Sequence, residues 1–398
     1  MLKINAIWLC CLTVLGCSPA LVRAQRPADK FRQTLVSDAA LTDVDFENLA
    51  KNQPVVKVVP PGADIKKVTT FSIVRLRKLP ETSLQAFREG LTQKNNKSLL
   101  AEGRFSEPPV ITDLEKLALE KGDLDALPNC SVGKCDLNLS AAMIRSMQER
   151  AKAGELSEAA ASQLFREQLF GYLNDYRTRG NAALIQYENR KTPVKLTEEF
   201  RSMIDRIPVV SVAAPEFKQY LLTYPNGRPA GAEDNYNWSK TTFGFDPIIS
   251  LSHSTGYTSG GADAPLHIVA TRQIFASRYA SASLALSMLI SVRVNEAIEH
   301  YLIFTSISHS EELGGLFGEL KQVVVESEAN EQVGGILQRA RAKLEAGPMR
   351  ALNFTSPPEP TRLERLRSSF SGLVPLAILT VCLLGMIYLG IRWYRSRV

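Results

Sequence analysis

The chain has 398 residues, 45% of them apolar, and its 47 basic and 41 acidic side chains give a formal net charge of +6. Two of those charges, Lys3 and Arg23, lie in the first 24 residues, and three, Arg392, Arg395 and Arg397, lie in the last seven, so the part between carries only +1. That excludes a nucleic-acid binder working through a basic surface.

Residues 1–24 read as a secretory signal: Lys3 gives a positive start, Ile4 to Gly16 an apolar stretch, and Val22-Arg23-Ala24 a small residue at the cut before Gln25. Val14-Leu15-Gly16-Cys17 is an alternative, lipoprotein-like site at which Cys17 would be acylated. Residues 25–53 are polar without clear period and are expected to form a loose arm. Val55 to Val59 and Val68 to Leu76 are β-branched and read as strands. Pro80-Glu81 opens an amphipathic helix carrying Leu84, Phe87 and Leu91, and Leu99 to Phe105 is a further strand closed by Pro108-Pro109.

The middle of the chain is helical. From Glu155 to Tyr176 the apolar Phe165, Leu169 and Leu173 recur every four residues. Thr197 to Ile207 and Pro215 to Tyr224 are shorter helices, the second with proline in the first turn, where a missing N–H does no harm. The region 140–225 is thus expected to be a helical insertion.

Period-two segments follow. Ile249, Leu251, His253 and Tyr257 share one face opposite Ser250, Ser252 and Ser254. Leu266 to Tyr279 comes next, and then Ala282, Leu284, Leu286, Met288, Ile290 and Val292 alternate with a Ser-rich set. With Tyr301 to Ile307 these predict an antiparallel meander, one face packed and one Ser-rich. A helical pattern returns over 311–345 through Leu313, Leu316, Phe317, Leu320, Leu337 and Leu344. It is the expected cover of the apolar face.

Residues 347–372, with Pro357-Pro358-Glu359-Pro360, read as a stiff tether. Leu373 to Ile391 holds no charge in 19 residues, 11 of them Leu, Ile or Val. At ~1.5 Å per residue it covers about 28 Å, enough for a hydrocarbon core. Tyr388, Trp393 and Tyr394 fit a headgroup layer, and Arg392, Arg395 and Arg397 form a short basic tail. The expectation is an α+β domain over 54–346 on the periplasmic or other extracytoplasmic side of a membrane, held by one span.

Cys10, Cys11 and Cys17 fall in the signal and Cys382 in the span, leaving Cys130 and Cys135. In an oxidising compartment a local disulfide is the simplest reading, with free thiols the alternative. No histidine lies near enough to complete a zinc site, and no cofactor is expected.

Five residues are candidates for ligand contact. Arg272 and Arg278, read on one strand six residues apart, would point to one face and could hold an anionic group. Tyr236 and Trp238 could line a pocket, and His253 is the nearer of a pair with His267 across a Gly-containing loop. A hairpin centred near residue 261 would set His253 opposite about residue 269, so satisfied histidines are favoured over a metal or acid–base pair. Ser131-Val132-Gly133-Lys134 fits a Ser-x-x-Lys pattern, yet its Gly and flanking cysteines read as a turn. Glu233, Asp234 and Asp246 around Trp238 read as an acidic, solvated loop.

Leu127 to Leu139 (LPNCSVGKCDLNL) and Tyr236 to His253 (YNWSKTTFGFDPIISLSH) resemble a family of exported, membrane-anchored bacterial proteins with no assigned activity. The likeness extends through Gly103 to Pro109, Gly180 to Tyr187 and Pro215 to Pro225 and covers most of residues 50–345. The family pattern near residue 271 reads Lys-Gln-Ile-Tyr-Ala-Ser-His-Tyr, whereas Arg278 stands here in place of its histidine. A required catalytic histidine at that place is therefore in doubt. The order of elements is also similar to the START-like helix-grip fold, which implies an apolar, lipid-holding tunnel. Three functions follow as expectations: a binding module for an apolar or lipid-like ligand, a structural or partner-binding envelope protein, or a hydrolase with an unrecognised site.

Overall fold

The computed structural model describes residues 27–59, 66–80, 87, 99–242, 246–260, 265–294, 296–309, 334, 335 and 337–346. The signal, the proline tether, the span at 373–391 and the tail lie outside these residues, as does 311–333. Among the described residues no helix is long and apolar enough to cross a membrane.

Two hairpin systems join into one antiparallel sheet of eight strands. The strands are β1 (Val55–Val59), β2 (Lys67–Leu76), β3 (Leu99–Arg104), β6 (Ala232–Thr241), β7 (Ile248–Ser259), β8 (Leu266–Ala276), β9 (Ala282–Val294) and β10 (Ala297–His309), with β4 (Gln186–Tyr187) and β5 (Val194–Lys195) a separate small pair. Their order, β1-β2-β10-β9-β8-β7-β6-β3, runs the meander β6 to β10 in sequence and docks the N-terminal hairpin on its last strand. The alternation in β9 sets Ala282, Leu284, Leu286 and Met288 on one buried face. The expected meander is therefore present, and its register fixes which side chains meet.

The apolar face, on which the described C-terminal residues 337–346 do not lie, is covered by the helical region between β3 and β6. That region holds α3 (Lys121–Ala126), α4 (Ala141–Lys152), α5 (Glu158–Arg179), α6 (Leu196–Asp205), α7 (Pro208–Ala213) and α8 (Pro215–Thr223). Helix α5 starts at Ser157, whose hydroxyl accepts from the Ala160 N–H, and buries Phe165, Leu169, Leu173 and Tyr176 in one stripe. It ends at Gly180, whose positive φ of 61° suits glycine. Phe165 meets Phe275 of β8 edge to face, and Phe217 of α8 stacks on Tyr257 of β7.

Two further differences from expectation concern the ends. The polar arm is helical, as α1 (Pro27–Ala39) and α2 (Asp43–Ala50), and Leu35, Ala39 and Leu49 join the core. Helix α2 is opened by a reciprocal cap between Thr42 and Asp45. At the other end, Leu337, Ala340 and Leu344 pack with Val74, Leu76, Leu289 and Leu302 on the opposite, otherwise Ser-rich face of the sheet. Phe87 of the early amphipathic stretch joins them. Strands β2 and β10 carry apolar residues on both faces, so a second cover is needed there.

Candidate functional site

Strand pairing assembles a polar row on the face under the helices. Tyr236 of β6 pairs with His253 of β7, and His253 pairs with Arg272 of β8, so three side chains line up across three strands. His253 lies opposite Arg272 rather than residue 269, because the turn is centred between Ser259 and Leu266. All three are buried, His253 completely (0% exposed).

Helices α5 and α8 complete the cluster. Nδ1 of His253 lies 2.8 Å from the Tyr176 hydroxyl and 2.8 Å from Nη2 of Arg272, while Nε2 lies 2.8 Å from Oδ1 of Asp234. Thr255 donates to the same Asp234 oxygen, and the Tyr220 hydroxyl donates to the other at 2.5 Å. Arg272 donates from Nη1 to Asn181 Oδ1 at 2.9 Å and to the Leu221 carbonyl at 3.2 Å. Tyr224 and Tyr236 share a hydrogen bond, and the Tyr236 ring stacks on His253 at 4.8 Å.

These contacts set the charge states. Burial, and then the Arg272 charge, push His253 down to about 4 against the opposing pull of Asp234. Burial alone would raise the Asp234 carboxyl, but hydrogen bonds from His253, Tyr220 and Thr255 bring it to about 2. Burial also holds the Tyr176 and Tyr236 hydroxyls well above their ordinary value. The cluster is therefore a neutral, fully buried imidazole between a largely buried carboxylate and a buried guanidinium.

The other candidates are placed elsewhere. Arg278 lies beyond the end of β8, where a bulge at Ile274 has already broken the alternation, so it does not share a face with Arg272. It pairs instead with Asp123, Nη2 to Oδ1 at 2.9 Å, and donates to the Gly122 carbonyl. Trp238 is 1% exposed and stands over Gly103, its ring N–H donating to the Asp113 carbonyl at 2.8 Å. His267 points to the opposite face from His253 and bonds to Thr258. Asp234 belongs to a strand and not to a solvated loop. Ser131 and Lys134 bridge a turn closed by the Cys130–Cys135 bond, with the Ser131 hydroxyl turned to the Lys134 carbonyl. No group of His, Cys, Asp and Glu among the described residues could hold a metal ion.

A cleft of about 490 Å³, with no signal in the residue pattern, lies between α4, α5 and the segment around β4. Met143, Gly171, Tyr172, Ala183 and Ile185 supply apolar surface, and Ser140, Ser146, Gln168, Gln186 and Glu188 supply polar surface. A side chain added at Gly171 would meet nothing within 4 Å. The walls are fixed from behind. Glu188 accepts from the Ala141 N–H at 2.8 Å, the Gly133 N–H reaches the Glu188 carbonyl at 2.7 Å, and Gln148 of α4 donates to the Cys130 carbonyl. The disulfide-closed turn thus braces both α4 and the segment leading out of β4.

No family model and no curated protein matches this chain.

Proposed function

We propose that this chain is an exported binding domain, anchored to the membrane by residues 373–391, that takes a small, partly apolar guest such as a lipid tail in the α4–α5 cleft. The observation that carries this reading is the composition of that cleft. An apolar floor of Met143, Tyr172, Ala183 and Ile185 lies beside Gly171 with open space above it, and serine and glutamine side chains can orient a guest. Its volume lies within the range of ligand sites, roughly 300–1,000 Å³.

The residues first considered for ligand contact do not line this cleft. His253 and Arg272 are buried in the joint under the helices and already have protein partners. That leaves no accessible nucleophile or base for a hydrolase at that place. The helix-grip likeness enters the proposal through 337–346, a C-terminal helical segment packed on one face of the sheet.

The test is native mass spectrometry of the full chain released gently from membranes, beside a Gly171→Phe variant that fills the cleft. Wild type should carry a small-molecule adduct and the variant should lose it. A clean unliganded mass for wild type rejects the reading. An adduct retained by Gly171→Phe moves the guest to another surface. Stable co-purification of a protein in place of a small molecule favours the envelope-partner alternative.

A further inference from the structure

His253 sits in the joint between the sheet and its helical cover, and the groups around it come from several elements. Asp234 and Tyr236 belong to β6, Arg272 to β8, Tyr176 to α5, and Tyr224 follows α8. Two more cations stand outside this ring. Arg228 lies 3.8 Å from Asp234, and Arg177 lies over the Tyr236 ring.

The tautomer follows from the partners. A guanidinium has only donors, so the nitrogen it faces, Nδ1, carries no proton, and the single ring N–H is on Nε2 toward Asp234. A second proton has one place to go. On Nδ1 it would meet the Tyr176 hydroxyl, which can turn to accept it, and Arg272 Nη2, each at 2.8 Å; against the guanidinium it sets donor against donor and cation against cation in a buried joint. Arg272 would have to withdraw. The same side chain holds Asn181 and the Leu221 carbonyl, so its withdrawal removes the tie to the turn at Gly180–Ala183 and to the end of α8.

We propose that the Asp234–His253–Arg272 row is an acid-opened latch: a proton on His253 displaces Arg272 and frees the 180–183 turn and α8 from β7 and β8 while the remaining strands stay paired. At neutral pH the latch is shut. The ring in the joint takes up a proton less readily than a free one, about 4 against 6.5, so the joint is fully stabilised above pH 6.5. That stabilisation is lost as pH falls from there through about 4. Asp234, held near 2, stays ionised throughout this window.

Hydrogen–deuterium exchange on the full chain in lipid nanodiscs, read as protection factors between pH 7 and 4, tests the latch. Protection over 180–183 and 215–228 should drop by about tenfold or more below pH 5, while β9 and β10 hold theirs. His253→Gln, which cannot take up the proton, should flatten the response. Arg272→Met, which removes the opposing charge, should move its midpoint upward. Unchanged protection in wild type down to pH 4, or the same acid response in His253→Gln, overturns the latch. If the glutamine variant fails to fold, 15N-histidine NMR on the wild type decides. A His253 ring lacking a proton on Nδ1 at pH 6 is expected, and a doubly protonated ring at that pH rejects the proposal.

Discussion

Replacing Arg278 by methionine isolates one buried charge pair at the end of the sheet. Arg278 donates from Nε and Nη2 to one oxygen of Asp123, at 3.0 and 2.9 Å, and the two side chains are 7% and 1% exposed. Methionine keeps most of the volume and removes both bonds, leaving a carboxylate in the interior with a single remaining donor, the Glu120 N–H on its other oxygen. Stranding a buried charge in this way costs about 3–5 kcal/mol, and the surviving Glu120 bond places the expectation near 3. Asp246, at 3.6 Å and half exposed, adds little. Asp123→Asn in the methionine background removes the stranded charge while keeping an acceptor for Glu120, and should recover about 1–2 kcal/mol. The assay is urea unfolding of the detergent-solubilised chain at pH 7, followed by circular dichroism as a double-mutant cycle. A loss under 1 kcal/mol for Arg278→Met, or two substitutions whose effects simply add, would refute the account.

Gly180→Ala should lower stability by at least about 2 kcal/mol, because φ is positive and an added Cβ would sit 2.0 Å from the Tyr224 carbonyl. An unchanged melting temperature would show that this close approach is absent. Leu344→Ala should cost about 2–5 kcal/mol, since the side chain is fully buried against the second face of the sheet. Thermal unfolding that ignores the change would mean the 337–346 segment is not seated there.

Alternation made the meander legible. In β9 apolar residues at 282, 284, 286 and 288 leave no other face to bury, and the four-residue recurrence of Phe165, Leu169 and Leu173 made α5 equally plain. What alternation could not show is which cover goes on which face. Leu289 and Leu302 sit among polar neighbours and look like exceptions until Leu337 and Leu344 are seen to need them. The N-terminal helix was hidden for a related reason. Its apolar stripe is one residue wide, Phe31, Leu35 and Ala39, among polar residues whose composition resembles a loop. Arg272 and Arg278 were paired by counting, and a single bulged residue, Ile274, was enough to undo the count.

The polar row under the helices shows what residue type alone leaves open. An arginine and a histidine on an apolar face are costly to bury without partners, so each must find either a ligand or the protein itself. Here the protein supplies both needs. Asn181, Leu221 and His253 take the two terminal nitrogens of Arg272, whose Nε stays without a partner among the described residues, and Asp234 satisfies the remaining histidine nitrogen. Several of those partners lie in a region expected only as helical insertion, far from β7 and β8 in sequence and invisible to any reading of one strand at a time. Tyr176, Asn181 and Tyr220, delivered from the helical region, occupy most of the row's hydrogen-bonding positions. The cleft proposed above lies where the chain leaves surface unclaimed, and the open space at Gly171 belongs to it. A glycine in the interior of a 22-residue helix destabilises it by roughly 0.5–1 kcal/mol relative to alanine. No contact among the described residues requires that loss at Gly171, which is consistent with the guest cleft proposed above.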